Sequence, residues 1–321
     1  MPVSVEVSTP PRSRRLLWLA VVAGAVAVVL AAAVVVVALT ADDDAPARFA
    51  LPGQPTSVVV TPEGVWVAAP NRGAILPLDP DSGRLGAPLR TGGAPSRLAA
   101  GAESLWAVDT ARAALVPIQR DPPRTFPAIP VGADATDAVV AAGAVWVLSS
   151  PEGLVRVIEP GGRPVRELEV GADAVDLAAG GGWVVVAGAG SGTLTRIDAG
   201  RRSVAGPPVS LGGLPAAVAV SGGSAWVADA SGGTVARVDL ETGERRGASI
   251  AVGGRPVAVA ADGKDVYVLS RRDRVLVHVD GATGEVLSRR AAGSDPAALA
   301  LDQAYIWVAD GGEDEVLRFE R

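Results

Sequence analysis

The sequence predicts an all-β fold, a seven-bladed β-propeller, on the basis of three observations. An aromatic residue within an apolar run recurs at intervals close to 40 residues. Thirteen residues after each one, a polar residue closes a second apolar run. The 321-residue chain also contains 39 glycines and 25 prolines, too many for a helical protein and suited to short strands joined by many turns. Four strands in a unit of about 40 residues are typical of a propeller blade.

The aromatic position defines seven repeats once a hidden copy is located. The aromatic residues are Trp66, Trp106, Trp146, Trp226, Tyr267 and Trp307. The polar residues thirteen positions later are Asp79, Gln119, Glu159, Asp239, Asp280 and Glu320. Because Trp146 and Trp226 are 80 residues apart, one copy lies between them, and counting back thirteen from Asp198 places it at Val185. Trp183, two residues earlier, lies on the same face of that strand. The column of aromatic residues is predicted to form the core between blades.

Each repeat contains four predicted strands. Nine residues before the aromatic position an inner strand begins, at Ser57, Arg97, Asp137, Asp176, Ala217, Ala258 and Ala298. In one representative copy the inner strand is 257–260, the aromatic strand 266–270, the third 274–280 and the fourth 285–290.

The ends of the repeat region predict ring closure by the N-terminal strand. The last copy stops at Glu320-Arg321, after its third strand, and so lacks a fourth. The segment 49–55 aligns with 250–256, which is a fourth strand and the turn after it. An unpaired blade edge would expose backbone donors and acceptors, so the N-terminal strand is expected to complete the last blade.

The repeats resemble the YVTN family of β-propeller repeats. The clearest copy reads Ala225-Trp226-Val227-Ala228-Asp229, then Thr234-Val235-Ala236-Arg237-Val238-Asp239, Thr242-Gly243 and Val252-Gly253-Gly254-Arg255-Pro256. The resemblance covers residues 48–321 and implies the propeller fold. Because such repeats occur in surface-layer, sensor and binding proteins, it implies no catalytic set. The streptogramin-lyase group is similar in architecture and is expected to use histidine chemistry.

The N-terminal segment predicts a single membrane anchor. Leu16 to Leu39 are 24 uncharged residues, about 36 Å as a helix and enough to cross a hydrocarbon core of about 30 Å. Arginines precede the segment and Asp42 to Asp44 follow it, so the N-terminus is predicted to be cytoplasmic and the propeller extracytoplasmic. A cleaved signal peptide and a twin-arginine export signal are the alternatives. The predicted organisation is a basic N-terminus over 1–15, the helix over 16–39, a linker over 40–47 and the propeller over 48–321, in a membrane predicted to be that of a bacterial cell.

Composition excludes several function classes. A net charge of −6 and a pI near 5.0 argue against nucleic acid as a partner. The chain has no cysteine and one histidine, His278, so no metal, cofactor or catalytic residue is predicted. His278 aligns with Arg196, Arg237 and Arg318, a column predicted to face solvent. The turns 79–83, 239–243 and 280–284 are interpreted as tight turns, because the full spacing of a calcium loop is absent.

The candidate ligand-binding residues lie at one end of the predicted channel. Arg97, Asp137 and Asp176 begin the inner strands of three successive blades, where four other blades have Ser or Ala. Three residues after the aromatic position, Asp109, Asp229 and Asp310 add carboxylates. The loops at this end of a propeller are where such folds usually bind.

Two hypotheses for function follow. The first is a membrane-anchored binding or scaffolding module for a protein, peptide or envelope component, without catalysis. The second is a lyase- or hydrolase-type enzyme in which Asp137 or Asp176 acts as a general base beside Arg97. A quinone-cofactor protein is a third possibility that the blade count and the placement of Trp disfavour.

Overall fold

The computed structural model describes residues 45–132, 134–159 and 161–321. The predicted helix over 16–39 and residues 40–44 of the predicted linker therefore lie outside the described residues. Within the part that is described, no helix is both long and apolar enough to cross a membrane.

The described chain folds into seven antiparallel sheets of four or five strands, which are the blades of a propeller. Blade 1 contains Ser57–Thr61, Gly64–Ala69, Ala74–Leu78 and Leu89–Arg90, with a 3₁₀ turn over Pro70–Arg72. Blade 2 contains Pro95–Ala100, Leu105–Asp109, Ala114–Gln119, Arg124–Thr125 and Ile129–Pro130. Blade 3 contains Ala135–Ala141, Ala144–Ser149, Leu154–Ile158 and Pro164–Glu169. Blade 4 contains Ala174–Gly180, Trp183–Gly188, Thr193–Asp198, Ser203–Val204 and Val209–Ser210.

The remaining blades continue the pattern, and the last one takes a strand from the start of the described chain. Blade 5 contains Pro215–Ser221, Ser224–Asp229, Thr234–Asp239 and Ile250–Ala251. Blade 6 contains Pro256–Asp262, Asp265–Ser270, Val275–Asp280 and Val286–Ala291, within two residues of the predicted bounds. Blade 7 contains Pro296–Leu301, Tyr305–Asp310 and Glu315–Glu320, and Ala47–Ala50 is its fourth strand. The all-β seven-bladed fold is therefore confirmed.

Burial decreases from the centre of each blade to its edge, which explains the residue pattern of each strand. The second strand of blade 1, Gly64–Ala69, is buried on both faces because neighbouring blades cover it on both sides. The fourth strand of blade 6, Val286–Ala291, instead alternates between half-buried and exposed residues, as expected for an outer strand. The inner strands contact one another in a ring, and Pro296–Leu301 of blade 7 contacts Ser57–Thr61 of blade 1.

The aromatic column forms the core between blades, as predicted. One apolar cluster fills each interface between neighbouring described blades, and each contains one residue of the column. Val185 occupies this place between blades 4 and 5, which confirms the hidden copy. The indole N–H of Trp66 donates to Thr61 Oγ1 at 2.9 Å, so burial of the ring does not leave its polar atom unpaired.

The basic column eleven residues after the aromatic position connects blades instead of facing solvent, so that prediction is wrong. Arg196 is only 8% exposed and donates to the Leu240 carbonyl of the next blade at 2.8 Å. Arg237 likewise reaches the Gly281 carbonyl of blade 6 at 3.1 Å. Arg318 reaches the Pro80 carbonyl of blade 1, and so connects the last blade to the first. The arginine side chain is long enough to cross the interface between blades. Its guanidinium contacts the turn that follows the third strand of the neighbouring blade.

His278 occupies this column in blade 6 and makes local contacts. Its ring stacks on Tyr267 with centroids 4.4 Å apart, and its Nε2 lies 2.9 Å from Asp265 Oδ1. These contacts hold the histidine on the third strand of the blade, away from the channel.

The N-terminal strand pairs with the last strand of the chain. Ala47–Ala50 runs antiparallel to Glu315–Glu320, with Arg48 opposite Leu317. Arg48 forms an ion pair with Glu315, and Phe49 stacks on Trp307 at 5.9 Å. The pairing is a feature of the structure; that it holds the ring closed stays a prediction.

Candidate functional site

One cavity at the start of the inner strands brings the central candidate residues together. It has a volume of about 210 Å³. All seven positions aligned in the sequence line it, namely Ser57, Arg97, Asp137, Asp176, Ala217, Ala258 and Ala298. We call this cavity the channel mouth.

A β-bulge precedes most of these residues. The register with the second strand shifts between Pro95 and Arg97, between Ala135 and Asp137, and between Ala174 and Asp176. A bulge inserts one residue and re-aims the next side chain. In blades 2 to 7, the repeated bulge therefore helps to place this position of the inner strand at the channel.

Asp137 and Asp176 form a carboxyl pair in the channel mouth. Asp137 is 7% exposed, and its Oδ1 accepts from the Ala138 amide at 2.8 Å. Asp176 Oδ2 accepts from the Val218 amide of the next blade at 2.8 Å. Burial, followed by the charge of Asp137 and a hydrogen bond with it, raises the pKa of Asp176 well above its usual value. Asp176 therefore retains its proton to a higher pH than an exposed aspartate does.

Arg97 is the cation of the channel mouth. Its Nη1 donates to the Thr56 carbonyl at 3.1 Å. Its charge lowers the pKa of Asp176, but by less than burial and Asp137 raise it. Arg97 therefore offsets part of the negative charge that the two aspartates can carry in this cavity.

Polar side chains at these positions also connect neighbouring inner strands. Ser57 Oγ accepts from the Leu98 amide at 3.1 Å, as Asp176 accepts from Val218. Each side chain therefore satisfies an amide of the next blade. The Val218 amide thus occupies Oδ2 of Asp176. The interaction of Asp176 with Asp137 lies in the channel.

Asp109, Asp229 and Asp310 lie outside the channel mouth. Each accepts amides from the loop before its own inner strand: Asp109 from Ala94 at 2.9 Å, Asp229 from Leu214 at 2.8 Å, and Asp310 from Ser294 and Asp295 at 2.7 Å. Burial acts to raise the pKa of Asp229, but these amides and Ser231 outweigh it and lower the pKa. The sequence grouped these three with Arg97, whereas their contacts give them the role of loop clamps.

Sequence reasoning missed an apolar groove beside the channel mouth. The groove has a volume of about 230 Å³. It is lined by Val175, Ala189, Leu214, Pro215, Ala216, Ala230, Arg255, Pro256 and Val257. Val257 also lines the channel mouth, so the two cavities adjoin. In the sequence, Leu214 could have indicated the groove, because the six other repeats have Gln, Ala, Asp or Arg at the equivalent position.

A larger cavity, of about 640 Å³, lies between blades 5 and 6 at the turn after the third strand. Its cations already have partners: Arg246 pairs with Asp239, and Arg237 donates to Ser224 at 2.9 Å and to Gly281. We therefore place the candidate site at the channel mouth. Among the described residues, no group of three or more acidic or histidine side chains could hold a metal ion.

Comparison with known proteins supports the fold. No family model matches the chain, and no curated protein matches it in sequence. The structure is similar to virginiamycin B lyase from Staphylococcus aureus, with a TM-score of 0.75, 14% identity, and coverage of 86% of this chain and 99% of the lyase. A catalytically inactive histidine-to-alanine form of that lyase with quinupristin has a TM-score of 0.75 and 16% identity, with coverage of 86% of this chain and 99% of the lyase. The RRP9 WD40 repeats have a TM-score of 0.72 and 16% identity, with coverage of 86% of this chain and 98% of theirs. At these identities the likeness establishes a seven-bladed propeller fold.

Proposed function

We propose that the chain is a membrane-anchored, extracytoplasmic binding or scaffolding module that holds a protein, peptide or envelope component at its channel mouth. The observation that carries the proposal is the convergence of Arg97, Asp137 and Asp176 on one cavity. The apolar segment Leu16 to Leu39 and the charges that flank it support the anchor. The resemblance to YVTN repeats supports a binding role over a catalytic one.

We also propose that the N-terminal strand closes the ring. Its pairing with Glu315–Glu320 and the Arg48–Glu315 ion pair support this. The strand begins at the end of the blade opposite the channel mouth, because fourth strands run toward the loops that enter the next inner strand. The anchor would then enter from that opposite end, with the channel mouth facing away from the membrane.

Site-specific photo-crosslinking in intact cells tests the binding role. A photoreactive side chain at Ala297, which lines the channel mouth, should give a discrete adduct with a partner. The same group at Ala282, an exposed residue of a turn at the opposite end, is the matched control. The adduct should disappear with Asp176→Asn and persist with Glu313→Gln, which alters an exposed carboxylate between the second and third strands of blade 7. Equal adducts at both positions, or an adduct insensitive to Asp176→Asn, would contradict the proposal.

The carboxyl pair also supports a second candidate, a lyase- or hydrolase-type enzyme. A carboxyl group with a raised pKa beside an arginine can act as a general acid or base. The likeness in fold to virginiamycin B lyase adds to this candidate, but His278 lies on a third strand and outside the channel mouth. Incubation of the full chain with quinupristin, followed by mass spectrometry, separates the candidates. Asp176-dependent conversion would favour the enzyme, and unchanged quinupristin is expected of the binding module.

A further inference from the structure

The residues around the channel mouth divide it into a polar half and an apolar half. The inner-strand start is polar in blades 1 to 4 (Ser57, Arg97, Asp137, Asp176) and alanine in blades 5 to 7. The preceding position shows a similar division, shifted by one blade: it is Thr56, Ser96 and Thr136 in blades 1 to 3, and Val175, Ala216, Val257 and Ala297 in blades 4 to 7. Asp137 and Asp176, in blades 3 and 4, are the last polar residues around the channel mouth. The apolar groove follows them, lined by residues of blades 4 to 6.

We propose that the channel mouth and the groove together bind a peptide segment in which a lysine or arginine neighbours a large apolar residue. The basic side chain would enter the channel toward Asp137 and Asp176, and the apolar side chain would occupy the groove. The inference rests on the proposed binding function and names the chemistry of its partner.

The lining and the charge of the cavity favour a basic side chain in the channel. The cavity of about 210 Å³ is lined by Ala, Val and Leu as well as by Arg97, Asp137 and Asp176, so an apolar stem with a charged end suits it. Lysine carries its charge on a flexible four-carbon stem and arginine on a similar one. With both carboxyl groups ionised, the channel mouth carries two negative charges against the single positive charge of Arg97. An incoming cation therefore balances the second negative charge.

The groove provides the place for the neighbouring apolar residue. Val175 is 39% exposed and Leu214 is 43% exposed, and they are two of the five large apolar side chains exposed in the described part of the chain. Both line the groove, whose remaining walls are mainly Ala, Pro and Val. Exposed apolar side chains that lie together are typical of a binding surface. Arg255 at the groove disfavours a basic residue there, so the cation belongs in the channel.

Proton release provides a signature specific to this arrangement. The charged groups that line the channel mouth are Arg97, Asp137 and Asp176. Binding of a cation beside Asp176 favours its ionised form, so the proton that its raised pKa retains must then leave. Binding should therefore release protons at a pH where Asp176 is still protonated in the empty channel mouth, and a structural role for Asp176 alone would not produce this release.

The test uses the full chain purified in detergent and a capped tetrapeptide, Gly-Leu-Lys-Gly, as the probe. One matched peptide replaces the lysine with norleucine, which has no charge, and another replaces the leucine with glycine. Isothermal titration calorimetry in two buffers of different ionisation enthalpy gives both the affinity and the number of protons released. Norleucine should weaken binding about tenfold or more, since it removes a cation from buried acidic partners. Glycine should weaken binding about three- to tenfold, as expected from loss of a buried apolar side chain.

The protein variants give a reciprocal test. Asp176→Asn keeps an acceptor for the Val218 amide, and it should reduce affinity for the lysine peptide and abolish proton release. Leu214→Ser should weaken binding of the leucine peptide and leave that of the glycine peptide unchanged. Glu313→Gln is the control and should bind as the wild type does. If Asp176→Asn does not fold, the norleucine peptide and Leu214→Ser still decide the question.

The outcomes separate this inference from the proposed function. Equal affinity for the lysine and norleucine peptides, or no binding of either, overturns the inferred partner chemistry. A photo-crosslinked adduct at Ala297 that depends on Asp176 would then leave the binding function standing. Absence of both the adduct and peptide binding would contradict the inference and the function together.

Discussion

At the scale of residues, the same residue type has opposite roles at two positions of the repeat. Asp109, Asp229 and Asp310 each accept loop amides, which satisfies buried donors. Asp137 and Asp176 instead line the same cavity. In each of them one carboxyl oxygen accepts a backbone amide. An aspartate that clamps a loop contributes to folding, whereas a carboxyl pair in a cavity retains capacity for a ligand.

The raised pKa of Asp176 predicts a pH dependence of stability. A carboxyl group with a pKa above its unfolded value costs no stability below about pH 4, the ordinary pKa of Asp, and costs increasingly more as the pH rises to the folded pKa. The melting temperature of the wild type relative to that of Asp176→Asn should therefore fall as the pH rises above about 4. Differential scanning fluorimetry measures this difference. A difference that stays constant with pH would show that folding does not raise the pKa of Asp176; Glu313→Gln, measured in parallel, should show no such trend.

At the scale of elements, the strands of one blade are connected to the next blade by long basic side chains. Arg196 is buried and donates to two carbonyls, those of Leu240 and Glu241, at 2.8 and 3.1 Å. Arg196→Met keeps much of the apolar stem and removes these bonds, so it should lower the free energy of unfolding by about 1–3 kcal/mol. Urea denaturation measures the change. Arg201→Met, which removes a side chain that is 83% exposed, is the control and should change stability by less than about 1 kcal/mol.

The N-terminal strand is the second element whose role can be tested. Deleting Arg48 to Gln54 removes the fourth strand of blade 7, the Phe49–Trp307 stacking and the Leu51 side chain, which is 6% exposed. The last blade would then expose an unpaired edge beside blade 1, and the melting temperature of the full chain should fall sharply. Arg48→Ala removes only a partly exposed ion pair and should have a small effect. A deletion variant as stable as the wild type would rule out closure by this strand.

At the scale of the whole molecule, the proposed anchor predicts an orientation. The wild type has no cysteine, so single substitutions can be labelled without background. Leu214→Cys lies beside the channel mouth and Ala282→Cys in a turn at the opposite end, and both positions are exposed. In intact membranes, bulky maleimides should label Leu214→Cys faster, because the opposite end would face the bilayer. Faster labelling of Ala282→Cys would show that the orientation is reversed.

The sequence alone determined the number of blades, the register of their strands and the position of the aromatic core. These properties follow from a period of about 40 residues and from alternation along each strand, both of which can be read locally. Alignment of the repeats was sufficient to place Ser57, Arg97, Asp137 and Asp176 at equivalent positions. A propeller brings equivalent positions to one channel, so their convergence could also be predicted.

Tertiary structure decided what these side chains contact. Three features depend on distances between blades: the raised pKa of Asp176 beside Asp137, the bond to Asp176 from the amide of Val218, 42 residues away, and the contact of Arg196 with the next blade. The clamping role of Asp310 likewise depends on how a loop folds back over it. Periodicity specifies which face of a strand a residue occupies. The electrostatic environment, which sets the pKa and the hydrogen-bond partners, arises only when separate blades pack together.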